Sequence, residues 1–191
     1  MRIHDLLNES TDELVKLIQQ CSQFLEESEA YPLFKMLPAT YNDLQKVKVR
    51  QKKEQDLDAV FNEAFKHHPG LRQRAIFAQP AKSFRALGES QDPFFVFPID
   101  GYKYMWSSEI ENSHDEYQTV FEAIVSGIGD KSGEVISDML KFTYTDDRLV
   151  EGITDGSEII FYNIPYYYAV RTSMNEAGEH YSSLLTELAE I

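Results

Sequence analysis

Gly156-Ser157-Glu158-Ile159-Ile160-Phe161-Tyr162-Asn163, followed by Ile164-Pro165 and Tyr166-Tyr167-Tyr168-Ala169-Val170, is the stretch on which the reading of this chain turns. Two runs of β-branched and aromatic residues flank a short corner that contains proline. Such side chains pack well on a pleated surface, so the pattern predicts two consecutive strands. Glu158 stands at the mouth of the first. An acid there, with apolar residues following, either points into a cleft where its charge has work to do or is solvated where the loop ends. The choice between those two separates an enzyme from a non-catalytic protein.

Outward from this stretch, the other elements follow from hydrophobic periodicity. Asp146 to Gly152 predicts a short helix leading to Glu158, and Tyr181, Leu184, Leu185 and Leu188 mark a final helix. Toward the N-terminus, Val135, Ile136, Met139 and Leu140 suggest a helical turn or two, and Tyr117, Val120, Phe121, Ile124 and Val125 define an amphipathic helix. Asp92-Pro93 leads into the apolar strand Phe94 to Ile99. Asp100-Gly101 is a turn signal from which Tyr102 to Trp106 can pair back as a hairpin. Arg74 to Ala78 is a strand candidate, after which Pro80 can open a short helix carrying Phe84, Ala86 and Leu87, stopped by Gly88.

The first third of the chain reads similarly. Ser10 and Glu13 form a capping box for a helix whose stripe is Leu14, Leu17, Ile18, Cys21, Phe24 and Leu25, ending near Glu29-Ala30. Tyr31 to Met36 is a short strand candidate, and Gln45 to Gln51 alternates basic and apolar residues with a period of two. Leu57, Val60, Phe61, Ala64 and Phe65 mark a helix closed by His67-His68-Pro69-Gly70. Helices dominate the N-terminal part and short strands are interspersed, which fits α+β rather than regular βαβ alternation.

Composition narrows the function classes. At 191 residues the chain suits one domain, or one domain with a helical appendage. Apolar residues at 42% and aromatics at 13% are enough to build a core. No apolar run approaches the ~20 residues that span a bilayer, and Met1 to Glu9 lacks the apolar centre of a secretory signal, so no membrane association is expected. A single cysteine, Cys21, excludes an internal disulfide framework and fits a reducing compartment; within an apolar stripe it reads as a small core residue. The net charge of −14 argues against broad binding to duplex nucleic acid, whose affinity rests on neutralised phosphates, and favours solubility or a basic partner surface.

Local signatures of the large enzyme classes are missing: there is no Gly-rich phosphate loop, Walker lysine, zinc-binding Cys/His spacing or serine nucleophile elbow. Adjacent His67 and His68 point in different directions and suit a helix end better than a metal. The acidic residues Glu109, Glu111, Asp115 and Glu116 lack the ordered ligand loop of an EF-hand and read as a solvated helix start. No metal is expected. Lys46, Lys48 and Arg50 share one face of their strand, with Val47 and Val49 on the other, and Lys52 and Lys53 follow. That stripe suits a dinucleotide pyrophosphate or an acidic partner; as a solvated face it equally protects an edge strand from aggregation.

The succession Pro32-Leu33-Phe34-Lys35-Met36, Ile76-Phe77-Ala78-Gln79-Pro80, Phe94-Phe95-Val96-Phe97-Pro98 and Gly156-Ser157-Glu158-Ile159-Ile160 resembles the ADP-ribosyltransferase-like fold, and is most similar to small proteins of that type encoded by tailed phages. The resemblance covers roughly residues 20 to 172 and rests on order and strand character. It implies a split pair of small β-sheets flanked by helices, with an N-terminal helical segment at 1–29, the α+β core at 30–172 and a C-terminal helix at 173–191. In that family NAD lies between the two sheets as substrate. A glutamate at the start of a later strand stabilises the oxocarbenium-like sugar as nicotinamide leaves, and ADP-ribose passes to a macromolecular acceptor.

Carried across, the resemblance makes Glu158 the catalytic carboxylate, with Lys35, Phe34, Gln79 and Phe77 holding NAD. The sequence departs from the family's pattern at three places. Lys35 stands where arginine is usual, keeping charge but losing the bidentate fork. Ala78-Gln79-Pro80 replaces a serine-threonine-serine element. Gly156 stands where enzymes that modify arginine carry a second acid. The alternative is therefore a non-catalytic phage virion component or host-interaction protein that keeps the fold. Either way a protein partner is expected, from the host or the phage, with the protein in the host cytoplasm or carried in the phage particle.

Overall fold

A computed structural model of the chain describes residues 14–53, 56–68, 70–84, 90–110, 112–113, 132–173 and 177–190. The expected capping box at Ser10 and Glu13, the helix of Tyr117 to Val125, the turn at Ala86 to Gly88, and Glu111, Asp115 and Glu116 lie outside them. The fold is α+β. Eight strands, β1 (Leu33–Pro38), β2 (Leu44–Lys48), β3 (Ile76–Pro80), β4 (Gln91–Pro98), β5 (Lys103–Ser107), β6 (Tyr144–Thr145), β7 (Ile159–Tyr162) and β8 (Tyr166–Arg171), form one antiparallel sheet in the order β2-β8-β4-β1-β3-β7-β5-β6. The helices are α1 (residues 14–20), α2 (Ser22–Glu27), α3 (Asp56–Ala64), α4 (Ser132–Thr143), α5 (Leu149–Asp155) and α6 (Ala177–Glu190), with a 3-10 turn at Arg72–Arg74.

The strand pair around Ile164-Pro165 exists, but its members do not pair with each other. β7 lies between β3 and β5, while β8 lies between β2 and β4. The corner thus carries the chain from one half of the sheet to the other. Alternation explains the continuous apolar run of β7. Ile159 and Phe161 belong to the core built with α1, α2, α5 and α6, and Ile160 and Tyr162 to a second core under α3 and α4. A strand buried on both faces has no polar face to show.

Two expectations are corrected. Tyr102 to Trp106 does form a strand, β5, and Gly101 turns the chain with φ of +85°, but β5 pairs with β7 and β6 rather than back onto β4. Both flanks of β4 are already taken by β8 and β1, so a hairpin there has no free edge. Pro80 ends β3 instead of opening a helix. Lacking an N–H, it stands at the strand terminus, and its carbonyl accepts from Ser83 and Phe84 in one turn.

The N-terminal stripe is buried at Leu14, Leu17, Cys21 and Phe24 as its spacing predicts, yet the helix is in two pieces. Asp100 supplies the cause. Its carboxylate accepts from Ser22 Oγ at 2.7 Å and from the Gln23 N–H at 2.9 Å, and its own N–H donates to the Gln20 carbonyl at 2.6 Å. An aspartate from the distant β4–β5 turn therefore caps a fresh helix N-terminus. Cys21 is fully buried and its thiol is pushed up from its ordinary value by burial and by Asp100, so it is an inert core residue.

At the opposite end, Arg171 on β8 pins the β1–β2 connection to the sheet. Its Nε donates to Asp43 at 2.6 Å, Nη1 to Asp92, and Nη2 to the carbonyls of Ala39 and Tyr41, while the guanidinium lies 4.8 Å from the Phe94 ring centroid. Removing it takes one shared partner from two half-exposed carboxylates and two carbonyls. Arg171→Ala is expected to lower unfolding stability by about 1–2 kcal/mol in chemical denaturation. Arg171→Lys should recover less than half of that, because an ammonium cannot reproduce the fork.

Candidate functional site

The geometry of the site begins at a gap. β1 and β3 pair over two residues only, Leu33 with Pro80 and Phe34 with Gln79. β3 then runs on against β7, and β1 against β4. Lys35 is the first residue of β1 beyond this seam. Its Nζ donates to the Phe77 carbonyl at 3.1 Å, so a side chain spans the opening that the backbones leave.

Glu158 immediately precedes β7 and is 7% exposed. Its Oε1 accepts from Ser113 Oγ at 2.5 Å and from the Ser113 N–H at 3.2 Å. Ser113 Oγ in turn accepts from Arg72 Nη1 at 2.6 Å, and Arg72 Nε pairs with Asp58 Oδ1 at 3.3 Å. Arg72 also lies between two rings, 4.7 Å from the Phe61 centroid and 4.6 Å from that of Phe77; Lys52 Nζ stands 5.1 Å from the centroid of Phe77. Residues from β1, β3, α3, the 3-10 turn and the segment after β2 thus converge on the start of β7.

Electrostatics tie the group together. Burial pushes the Glu158 carboxyl above its ordinary value, against the Ser113 hydrogen bonds and the charges of Arg72 and Lys35, which favour the anion. Burial likewise pulls the Lys35 ammonium down to about 8, helped by the neighbouring charge of Lys52 and opposed by that of Glu158. Lys35 and Glu158 therefore feel one another across the opening.

The other predicted residues divide. Phe77 and Gln79 are half-buried on β3; the Phe77 ring lies under two cations, Lys52 and Arg72, and its carbonyl accepts from Lys35. Phe34, at 1% exposure, packs its ring against Phe84 and Phe95 in the core. The basic stripe splits: Lys46 and Lys48 are exposed on β2, the sheet edge, with Lys46 Nζ 3.7 Å from the Tyr166 ring centroid, whereas Lys52 reaches the site. Among the described residues no group of three or more His, Cys, Asp or Glu could hold a metal, and no helix is long and apolar enough to cross a membrane.

Gly156 has a structural reason. It ends α5 with φ of +98°, a left-handed conformation that strains any residue with a Cβ, and a Cβ there would come within 3.0 Å of Lys82 Cδ. Lys82 is itself anchored, its Nζ donating to the Asp155 carbonyl at 2.6 Å. An acidic side chain two residues before Glu158 would strain this cap and press on Lys82. Arg72, Asp58, Ser113 and Lys52 were not picked out by sequence as a group, since they lie on four separate segments with no shared spacing. Lys52 alone carried a signal, as the end of the basic run.

Comparison of the chain with family models gave no match, and comparisons with curated proteins and with solved structures gave none either.

Two outcomes test this geometry. Gly156→Ala is expected to cost about 1–2 kcal/mol of stability, measured by denaturation, because the cap must either strain or move. In heteronuclear NMR titrations of the lysine side chains, Lys52→Gln should raise the Lys35 value above about 8 and Glu158→Gln should lower it below.

Proposed function

We propose that the chain is an ADP-ribosyltransferase-like phage protein that binds NAD at the opening between β1 and β3 and cleaves its nicotinamide–ribose bond, passing ADP-ribose to a macromolecular acceptor. The observation that carries the reading is that Lys35 on β1 and Glu158 at the mouth of β7 belong to one group built around Phe77: Lys35 Nζ donates to its carbonyl, and Arg72, which reaches Glu158 through Ser113, lies over its ring. Breaking that glycosidic bond builds positive charge on the sugar, and a fixed carboxylate in a poorly solvated place stabilises it far more than one in water. Ser113 and Arg72 keep Glu158 oriented and favour its charged form. Lys35 supplies the cation for the nucleotide, and the half-buried ring of Phe77 offers a surface beside it. The two halves of the sheet, joined by two paired residues, are on this reading the split pair of sheets of the family.

A second reading has its own observation. Glu158 is held by Ser113 and nearly closed from solvent, and Lys35 is occupied by the Phe77 carbonyl. That arrangement suits a virion component or host-interaction protein that retains the fold without turnover, meeting a basic partner through its acidic surface.

The discriminating experiment is nicotinamide release from NAD by the purified protein. The enzyme reading predicts turnover that Glu158→Gln reduces by about 10²-fold or more. Absence of turnover alongside intact folding selects the second reading. The pH profile follows from the two shifted groups. Glu158 must be deprotonated and its value is raised, so the ascending limb lies above the usual carboxylate range. Lys35 must be protonated, so nucleotide binding declines as pH rises through about 8.

A further inference from the structure

A hollow of about 400 Å³ opens at the other end of β7, lined by His68, Leu71, Arg74, Lys103, Tyr162 and Pro165 among others. It is a different place from the Glu158 group, which stands at the beginning of that strand. Three features mark it. First, in a chain of net charge −14, two of its lining side chains are the cations Arg74 and Lys103, and neither has a carboxylate partner among the described residues. Both are exposed and free to turn toward an anion. The described carboxylate whose charge bears on Tyr162 is Asp146, which is not part of the lining. Second, a ring pair forms one wall: the His68 imidazole and the Tyr162 ring have centroids 5.2 Å apart. Third, the walls are fixed by local bonds. Gly70 takes φ of +73° and donates its N–H to Asn62 Oδ1 at 2.8 Å; Asn163 takes φ of +66° and donates from Nδ2 to the Gly101 carbonyl at 3.3 Å.

Two cations with no carboxylate partner among the described residues, beside planar and apolar walls in a hollow at the lower end of the usual size for small-molecule sites, match a phosphate attached to a flat ring. We propose that this hollow is a second binding site, for a mononucleotide-sized phosphate ester, with Arg74 and Lys103 holding the phosphate and the His68–Tyr162 wall the base. The 3-10 turn links it to the first group, since Arg72 faces Ser113 while Arg74 lines the hollow. The site does not depend on the NAD reading.

The probe is AMP, with adenosine and inorganic phosphate as controls, followed by NMR shifts of His68 and Tyr162 and by calorimetry. Saturable shifts at both rings are expected. Arg74→Ala with Lys103→Ala should weaken binding about tenfold or more, and added salt should weaken it as well, because exposed charges are screened. The AMP-induced shifts of His68 and Tyr162 should persist in Lys35→Met, whatever AMP does at the β1–β3 opening. The proposal is overturned if AMP fails to bind at up to about 5 mM, if adenosine binds as well as AMP, or if binding survives the double substitution. Shifts of His68 and Tyr162 that disappear with Lys35→Met would assign them to AMP at the β1–β3 opening and also overturn it. Both cations are exposed, so loss of folding is not expected to confuse the result, and a thermal melt of the double variant verifies that.

Discussion

The narrow seam between β1 and β3 is the constraint from which the rest of the site follows. Two residue pairs join the halves of an eight-stranded sheet, Leu33 with Pro80 and Phe34 with Gln79. Beyond Phe34 and Gln79 the two strands part, β1 running on against β4 and β3 against β7. Lys35 on β1 reaches across to the carbonyl of Phe77 where the ladder has stopped. A charged side chain is thereby drawn into a part of the fold where apolar residues would otherwise meet. Everything else at the site answers that charge, or shares the space it opens.

Burying ionic groups is unfavourable unless they are paired and hydrogen-bonded, and the penalty for leaving one alone exceeds what the pair itself contributes. The group around Glu158 is arranged accordingly. Asp58 meets Arg72, Arg72 meets the Ser113 hydroxyl, and that hydroxyl meets Glu158, so each partner's remaining capacity is used by the next. Lys35 and Lys52 add positive charge on the side of Phe77. Such a network holds Glu158 in one orientation in advance of any ligand, which is the property an electrostatic catalyst needs. The same rigidity would serve a protein that only keeps the scaffold, and chemistry rather than geometry separates those cases.

Much of the fold was legible because periodicity reports burial directly. The stripes of α1 and α2, α3 and α6 appear as their spacing implies, and the apolar runs of β4, β7 and β8 are buried strands. What periodicity omits is which strand lies beside which. Asp100-Gly101 does turn the chain, but both edges of β4 are taken by β1 and β8, and β5 pairs with the edge of β7 instead. The break at Cys21 was hidden for a similar reason: its cause, Asp100, is remote in sequence. At the site, Glu158 stood out as an acid at the mouth of a strand-like run, and Lys35 through the resemblance alone. Ser113, Arg72 and Asp58 could not, because nothing local distinguishes a hydroxyl or guanidinium that will be buried from one that will be solvated. Gly156 was legible as a departure, and only the left-handed cap explains why it is glycine.

The claim beneath this account is that Lys35 and Glu158 act on one another across the opening, and a double-mutant cycle on unfolding stability with Lys35→Met, Glu158→Gln and the pair measures that interaction most directly. The account predicts a coupling of about 1 kcal/mol or more, within the range found for residues that share one charged network. Effects that simply add would place the two groups in separate environments and contradict it.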